Sequence, residues 1–164
     1  MSHCVSPFAG RRQDWNDPET QVKEAAMERA NATCKASRGR ILVVEDNDDS
    51  REILAKLLRM SGYEVSSAPD GESAYAAAIS ERPDLIITDI NMPGMDGIDL
   101  LKKVRLQSLL DGTAILVVTA FGGEAAREAM EAGADAAAAK PFDFEAFIET
   151  VQDLIYSRAQ TVNG

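Results

Sequence analysis

Five positions carry side chains that could do chemistry together. Glu45 and Asp46 follow the apolar run ILVV, Asp89 follows LIIT, Thr119 closes AILVVT, and Lys140 follows a run of alanines. Singly, each has a plain reading. An acid at a strand end is most often a helix cap or a solvated turn residue, and a lysine before proline is normally on the surface. Asp48 and Asp49 fit that plain reading, as caps of the helix that follows. If the runs are parallel strands of one sheet, however, three carboxylates, a hydroxyl and an ammonium group meet at the carboxyl edge, where open α/β sheets bind ligands. Three carboxylates that close together repel one another, and at least one pKa rises unless a cation compensates. Mg²⁺ resolves the conflict, because it takes oxygen ligands, keeps several waters and commonly uses one or two carboxylates plus a phosphate. Asp89 is the candidate attacking oxygen, since it stands alone at its strand end with a loop opening around it. The implied chemistry is phosphoryl transfer to a carboxylate, with charge stabilised by Mg²⁺ and Lys140.

The elements that must position these residues are readable from residue 40 onward. Strands are expected at 41–45, 63–68, 85–89, 114–119 and 136–140. The first, third and fourth are continuously apolar, as strands buried on both faces should be. The second is mixed and fits a sheet edge. The fifth is alanine-rich, a poor strand by propensity, and is placed by the alternation alone. Helices fill the intervals, with apolar stripes of Ile53, Leu54, Leu57 and Leu58 on the first and of Ala74, Tyr75, Ala77 and Ala78 on the second. Ile98, Leu101 and Val104 mark the third, with Arg105 beside them and Asp96 as its cap. Ala125, Ala129 and Met130 mark the fourth, which Gly133 terminates. Phe144, Phe147, Ile148, Val151, Leu154 and Ile155 mark the fifth, capped by Asp143. Alternating strands and helices mean an α/β sandwich around a mainly parallel sheet.

Composition narrows the function further. The chain has 164 residues, 45% of them apolar, enough for one compact domain. Residues 1–39 are close to neutral, with six basic and five acidic side chains, so the remainder carries a net charge of about −11 against −10 for the whole chain. Such a surface repels a phosphate backbone, so direct nucleic-acid binding is not expected. No run approaches a membrane span, and residues 1–12 lack the apolar stretch of a secretory signal, so the expected location is cytoplasmic. Cys4 and Cys34 read as free thiols, and His3, the one histidine, sits far from any strand end. No dinucleotide GxGxxG or P-loop GxxxxGK[ST] is present. Residues 1–39 read as a disordered or loosely helical extension, with a candidate helix over 18–35 capped by Asp17. Residues 40–158 form the domain, and 159–164 a short tail.

The pieces ILVVEDN (Ile41 to Asn47), IITDINMPGMDG (Ile86 to Gly97), VVTAF (Val117 to Phe121) and AAKPF (Ala138 to Phe142), at their mutual spacings, closely resemble the receiver domains of two-component response regulators. The resemblance spans about residues 40–157. It implies a flavodoxin-like (βα)5 three-layer sandwich with a parallel five-stranded sheet in the order 2-1-3-4-5. It also implies that Asp89 accepts a phosphoryl group from a phosphohistidine on a sensor histidine kinase or a phosphotransfer protein. Asp46 would be a direct Mg²⁺ ligand and Glu45 an outer acid acting through water, with Asp89 and the main-chain carbonyl of Asn91 completing the shell. Thr119 resembles the switch hydroxyl, Lys140 the lysine that pairs with a phosphoryl oxygen, and Lys140–Pro141 a cis peptide. The output would be altered binding to a downstream target protein, and a homodimer stays open.

One position departs from the family. An aromatic residue usually stands three positions before the lysine, and here it is Ala137. The usual coupling of a swinging ring to the switch hydroxyl is therefore in doubt. Phe121 is a candidate shield for the acyl phosphate, and equally an exposed loop aromatic. Two rival functions stand beside the switch. A degenerate receiver would have lost an acid, the hydroxyl or the lysine, and none is lost. A small phosphatase with an aspartyl nucleophile would need a second acid two residues after Asp89, where this chain has Asn91.

Overall fold

The computed structural model describes residues 38–120 and 122–162. The candidate helix at 18–35, both cysteines, His3 and Phe121 lie outside them. Five strands build one parallel sheet: β1 is Arg40–Val44, β2 Glu64–Ala68, β3 Leu85–Asp89, β4 Ala114–Thr119 and β5 Ala136–Ala139. Their order is β2-β1-β3-β4-β5, the expected doubly wound arrangement, with the mixed strand β2 at one edge. The intervening helices are α1 (Asp48–Met60), α2 (Gly71–Glu81), α3 (Gly97–Arg105), α4 (Gly123–Glu131) and α5 (Phe144–Val162), and a short 3₁₀ turn covers Ser108–Leu110. The last helix passes residue 158 and includes most of the expected tail. Among the described residues no helix is long and apolar enough to cross a membrane.

The period of two along the strands decides the layering. Leu42, Val44, Ile86, Ile115 and Val117 face α2, α3 and α4, and pack with Ala74, Ala78, Leu101, Val104 and Ala129. Ile41, Val43, Leu85, Ile87, Leu116 and Val118 face the other way, onto Leu58 of α1 and Phe147 and Val151 of α5. Helix stripes follow the sequence pattern with two corrections. Ile53 is 61% exposed and Met130 46% exposed, so neither belongs to the buried stripe on its helix. Leu58 and Ala55 carry the contact of α1 instead, and Ala129 that of α4. Asp96 caps α3 through Asp99 N–H at 2.9 Å, and Asp143 receives Ala146 N–H at 3.0 Å at the start of α5.

The amino end of the sheet is closed by a polar clamp. Asp135 accepts from Ile115 N–H at 2.8 Å and Arg105 Nη2 at 2.6 Å, and it pairs with Arg158. Arg105 also donates to the carbonyls of Gly133 at 2.9 Å and Thr113 at 2.8 Å, while Arg158 reaches Asp111 O at 3.0 Å. One carboxylate thus ties α3, β4, the α4–β5 loop and α5. Asp135→Ala is expected to cost about 2 kcal/mol, because charged donors lose their acceptor in a half-buried setting. A urea midpoint unchanged from the parent would show the clamp idle.

Candidate functional site

Strand register places the chemistry. Val44 lies beside Thr88, Asp89 beside Val118, and Thr119 beside Ala139. Glu45 and Asp89 therefore emerge at the carboxyl edge on neighbouring strands, while Thr119 and Lys140 stand slightly higher on β4 and just past β5. A long side chain is needed to reach back across β4, and lysine supplies it. Lys140 Nζ donates to Asp89 Oδ2 at 2.8 Å and to Glu45 Oε2 at 2.9 Å. Asp89 Oδ1 accepts from Asn91 N–H at 2.9 Å. Both carboxylate side chains are only 10% exposed, whereas the lysine is 34% exposed. Thr119 is fully buried, and its carbonyl accepts from Lys140 N–H at 2.8 Å, which joins the hydroxyl-bearing strand end to the lysine. Lys140–Pro141 is cis.

The loops are shaped by close approaches. Asn47, not Asp48 or Asp49, caps α1: its Oδ1 accepts Ser50 N–H at 2.9 Å, and the two aspartates sit in the first turn. The cap must precede the first helical residue, and Asn47 is the residue there with an acceptor. Arg51, on α1, donates from Nη1 to the carbonyl of Glu45 at 2.8 Å. After β3 the chain turns at once, with Met92 N–H and Gly97 N–H both bonded to Ile90 O at 3.1 Å. A Cβ on Gly97 would lie 2.3 Å from Asp89 O, so only glycine fits there.

Electrostatics mark the conflict expected of clustered acids. Burial pushes the Glu45 carboxyl above its ordinary range, and Asp46 beside it adds to the effect, while Lys140 opposes it. For Lys140 burial works against the charge, but the hydrogen bonds and charges of Asp89 and Glu45 outweigh it and hold the ammonium above its ordinary value. The ammonium is thus the firmly charged partner, and Glu45 is the acid that burial makes harder to ionise. Among the described residues no three acid, histidine or cysteine side chains converge as a ready-made metal cage. Glu45 and Asp89 converge on the lysine, and Asp46 is exposed beside them. The donor set is nevertheless all oxygen and in excess of negative charge, which fits a hard cation that keeps most of its waters.

Sequence reasoning missed the wall beside this cluster. Ile53, Leu54 and Leu57 of α1 face Pro141, Phe142 and Phe144 across a groove of about 480 Å³ that opens onto Glu45, Asp89 and Lys140. Phe142 stacks on Phe147 with ring centroids 4.4 Å apart, which anchors the far wall. The exposure of Ile53 is intelligible here, as the near wall. Periodicity alone could not separate that position from the core stripe.

Fold and site together define a flavodoxin-like α/β domain with a carboxylate–ammonium centre at its ligand-binding edge. The response regulator receiver domain model matches residues 41–152, and the chain belongs to that family. The transcriptional regulatory protein PrrA of Mycobacterium tuberculosis is 37% identical over 126 residues, which are 76% of this chain and 53% of that protein. Sporulation initiation phosphotransferase F of Bacillus subtilis is 33% identical over 114 residues, 69% of this chain and 90% of that protein. The crystal structure of chemotaxis protein CheY4 of Vibrio cholerae matches with a TM-score of 0.66 at 38% identity, over 70% of this chain and 97% of that one. The chain spans about half the length of PrrA and of the MprA regulators it also matches.

Proposed function

We propose that this receiver takes a phosphoryl group on Asp89 from a phosphohistidine, in a Mg²⁺-dependent step in the cytoplasm, and that the modified domain binds a downstream target protein differently. The observation that carries the reading is the shared ammonium: Lys140 Nζ holds Asp89 at 2.8 Å and Glu45 at 2.9 Å at the open edge of the sheet. An Asp89 carboxylate oxygen attacks phosphorus, the P–N bond breaks, and the imidazole of the sensor kinase or phosphotransfer protein leaves. Lys140 follows the incoming oxygens, and the Thr119 hydroxyl donates to one of them. Glu45, Asp46, Asp89 and the carbonyl of Asn91 are the residues that would hold Mg²⁺. Bound there, the cation would neutralise charge on the phosphoryl oxygens.

Phosphorylation puts about two negative charges where one stood. The response must then leave the site through residues that touch it. Ala137 offers no ring to swing, but the Lys140 N–H to Thr119 O bond couples the strand ends directly. Movement of either residue displaces the other, and with it the loops leading to α4 and α5. The backbone N–H of Asn91 serves the acceptor carboxylate, and its neutral side chain offers no proton to a leaving group, which disfavours a phosphatase.

The test is intact mass after incubation with Mg²⁺ and candidate histidine kinases or acetyl phosphate. The parent is expected to gain one phosphoryl group, and Asp89→Asn or added EDTA to abolish the gain. A gain that survives Asp89→Asn, or none from any donor, overturns the assignment.

A further inference from the structure

We infer that Arg51 is a positioning residue for the acidic loop, setting Asp46 for the cation; the inference rests on the function proposed above. β1 ends at Val44, so the carbonyl of Glu45 lies beyond the paired part of the strand. That carbonyl belongs to the peptide joining Glu45 to Asp46. Arg51 Nη1 donates to it at 2.8 Å, while Nη2 pairs with Asp48. Fixing the plane of this peptide fixes the direction in which the Asp46 side chain leaves the backbone. The rest of the loop is fixed from the other side by Asn47 N–H on Glu45 Oε1 at 3.3 Å and by the Asn47 cap.

Burial separates this arrangement from an ordinary surface ion pair. The Arg51 side chain is 18% exposed, against 85% for its partner Asp48. An exposed pair three residues apart on a helix contributes little by itself. A planar guanidinium gripping a main-chain oxygen and a carboxylate at once is a brace, and lysine cannot reproduce it.

The charge of Arg51 makes the inference sharply testable. If the residue acted only through its charge, removing it would strengthen divalent-cation binding, because a positive charge near the acids would be gone. A brace predicts the opposite sign. Mn²⁺ binding to the full chain, followed by electron paramagnetic resonance, is expected to weaken about tenfold in Arg51→Met, the usual scale for losing a group that orients a metal ligand. Arg51→Lys should weaken it less, and both should keep a cooperative urea transition. Where Arg51→Met fails to fold, Arg51→Lys decides the question by its own, smaller loss of affinity. Parent-like or tighter Mn²⁺ binding in the folded variants overturns the inference while leaving the site reading intact. Absence of Mn²⁺ binding by the parent overturns the site reading, and the role of Arg51 falls with it.

Discussion

Gly97→Ala is expected to destabilise the domain by about 3 kcal/mol and to suppress phosphorylation of Asp89 in whatever fraction stays folded. The reason lies in the geometry behind the acceptor. An added Cβ would sit 2.3 Å from Asp89 O and 3.0 Å from both Asp89 C and Ile90 Cα. These are backbone atoms, so no side chain can turn away to make room. Gly97 N–H is bonded to Ile90 O at 3.1 Å, and Asp96 caps α3 immediately before it. Relief therefore requires α3 to withdraw from the sheet, breaking contacts of Ile98 and Leu101 with the core, or requires β3 to twist at the acceptor itself. Either movement disturbs Asp89 relative to Lys140. Urea unfolding and intact mass after treatment with acetyl phosphate measure the two effects. Gly94→Ala is the useful contrast: φ there is +84°, so an alanine is strained, but its Cβ would meet nothing within 4 Å. It should show a smaller loss of stability and little change in acceptor chemistry. Equal behaviour of the two variants would refute the close-approach argument.

How much of this was legible in the residues differs from element to element, for physical reasons. β3 and β4 can be placed to the residue because both faces are buried and, Thr88 aside, every position is apolar or closes the strand. β5 is AAAA, and only the alternation of elements identifies it. Glu45, Asp89 and Lys140 are 44 and 51 positions apart in sequence, yet the strand-end rule for open parallel sheets was enough to expect them at one edge. The rule says nothing of which side chain spans the gap, and the bidentate reach of Lys140 emerges only from register. A helical period assigns Ile53 and Met130 to buried stripes because it identifies a face but not the margin of that face that hangs over solvent or a groove. Arg51 lies on an acidic, polar stretch where sequence offers no reason to prefer it. Its importance depends on a carbonyl brought close by the turn after β1.

The second large effect concerns Lys140. Lys140→Met keeps the aliphatic stem against the groove and removes the ammonium. In the absence of a divalent cation, Glu45 and Asp89 then face each other with side chains only 10% exposed and no shared donor. Glu45 already sits above its ordinary pKa because of burial and Asp46, with Lys140 the opposing influence, so losing the lysine pushes it further up. The lysine is itself partly open to water, which reduces the pair's contribution, and the expected loss of stability is about 1–2 kcal/mol. The kinetic effect should be much larger. An ammonium already aimed at the acceptor stabilises charge as it develops on the transferring oxygens without reorganising, and removing one such preorganised donor typically slows a reaction on the order of 10²-fold. Phosphorylation by acetyl phosphate at saturating Mg²⁺ is therefore expected to slow by about that factor, while Mg²⁺ restores part of the lost stability by occupying the same carboxylates. The two readouts separate the roles of the residue. A variant that loses stability but phosphorylates at the parent rate would make Lys140 a counter-ion for the resting cluster only. One that slows on that scale while its Mg²⁺-bound stability matches the parent would place the ammonium on the phosphoryl group during transfer.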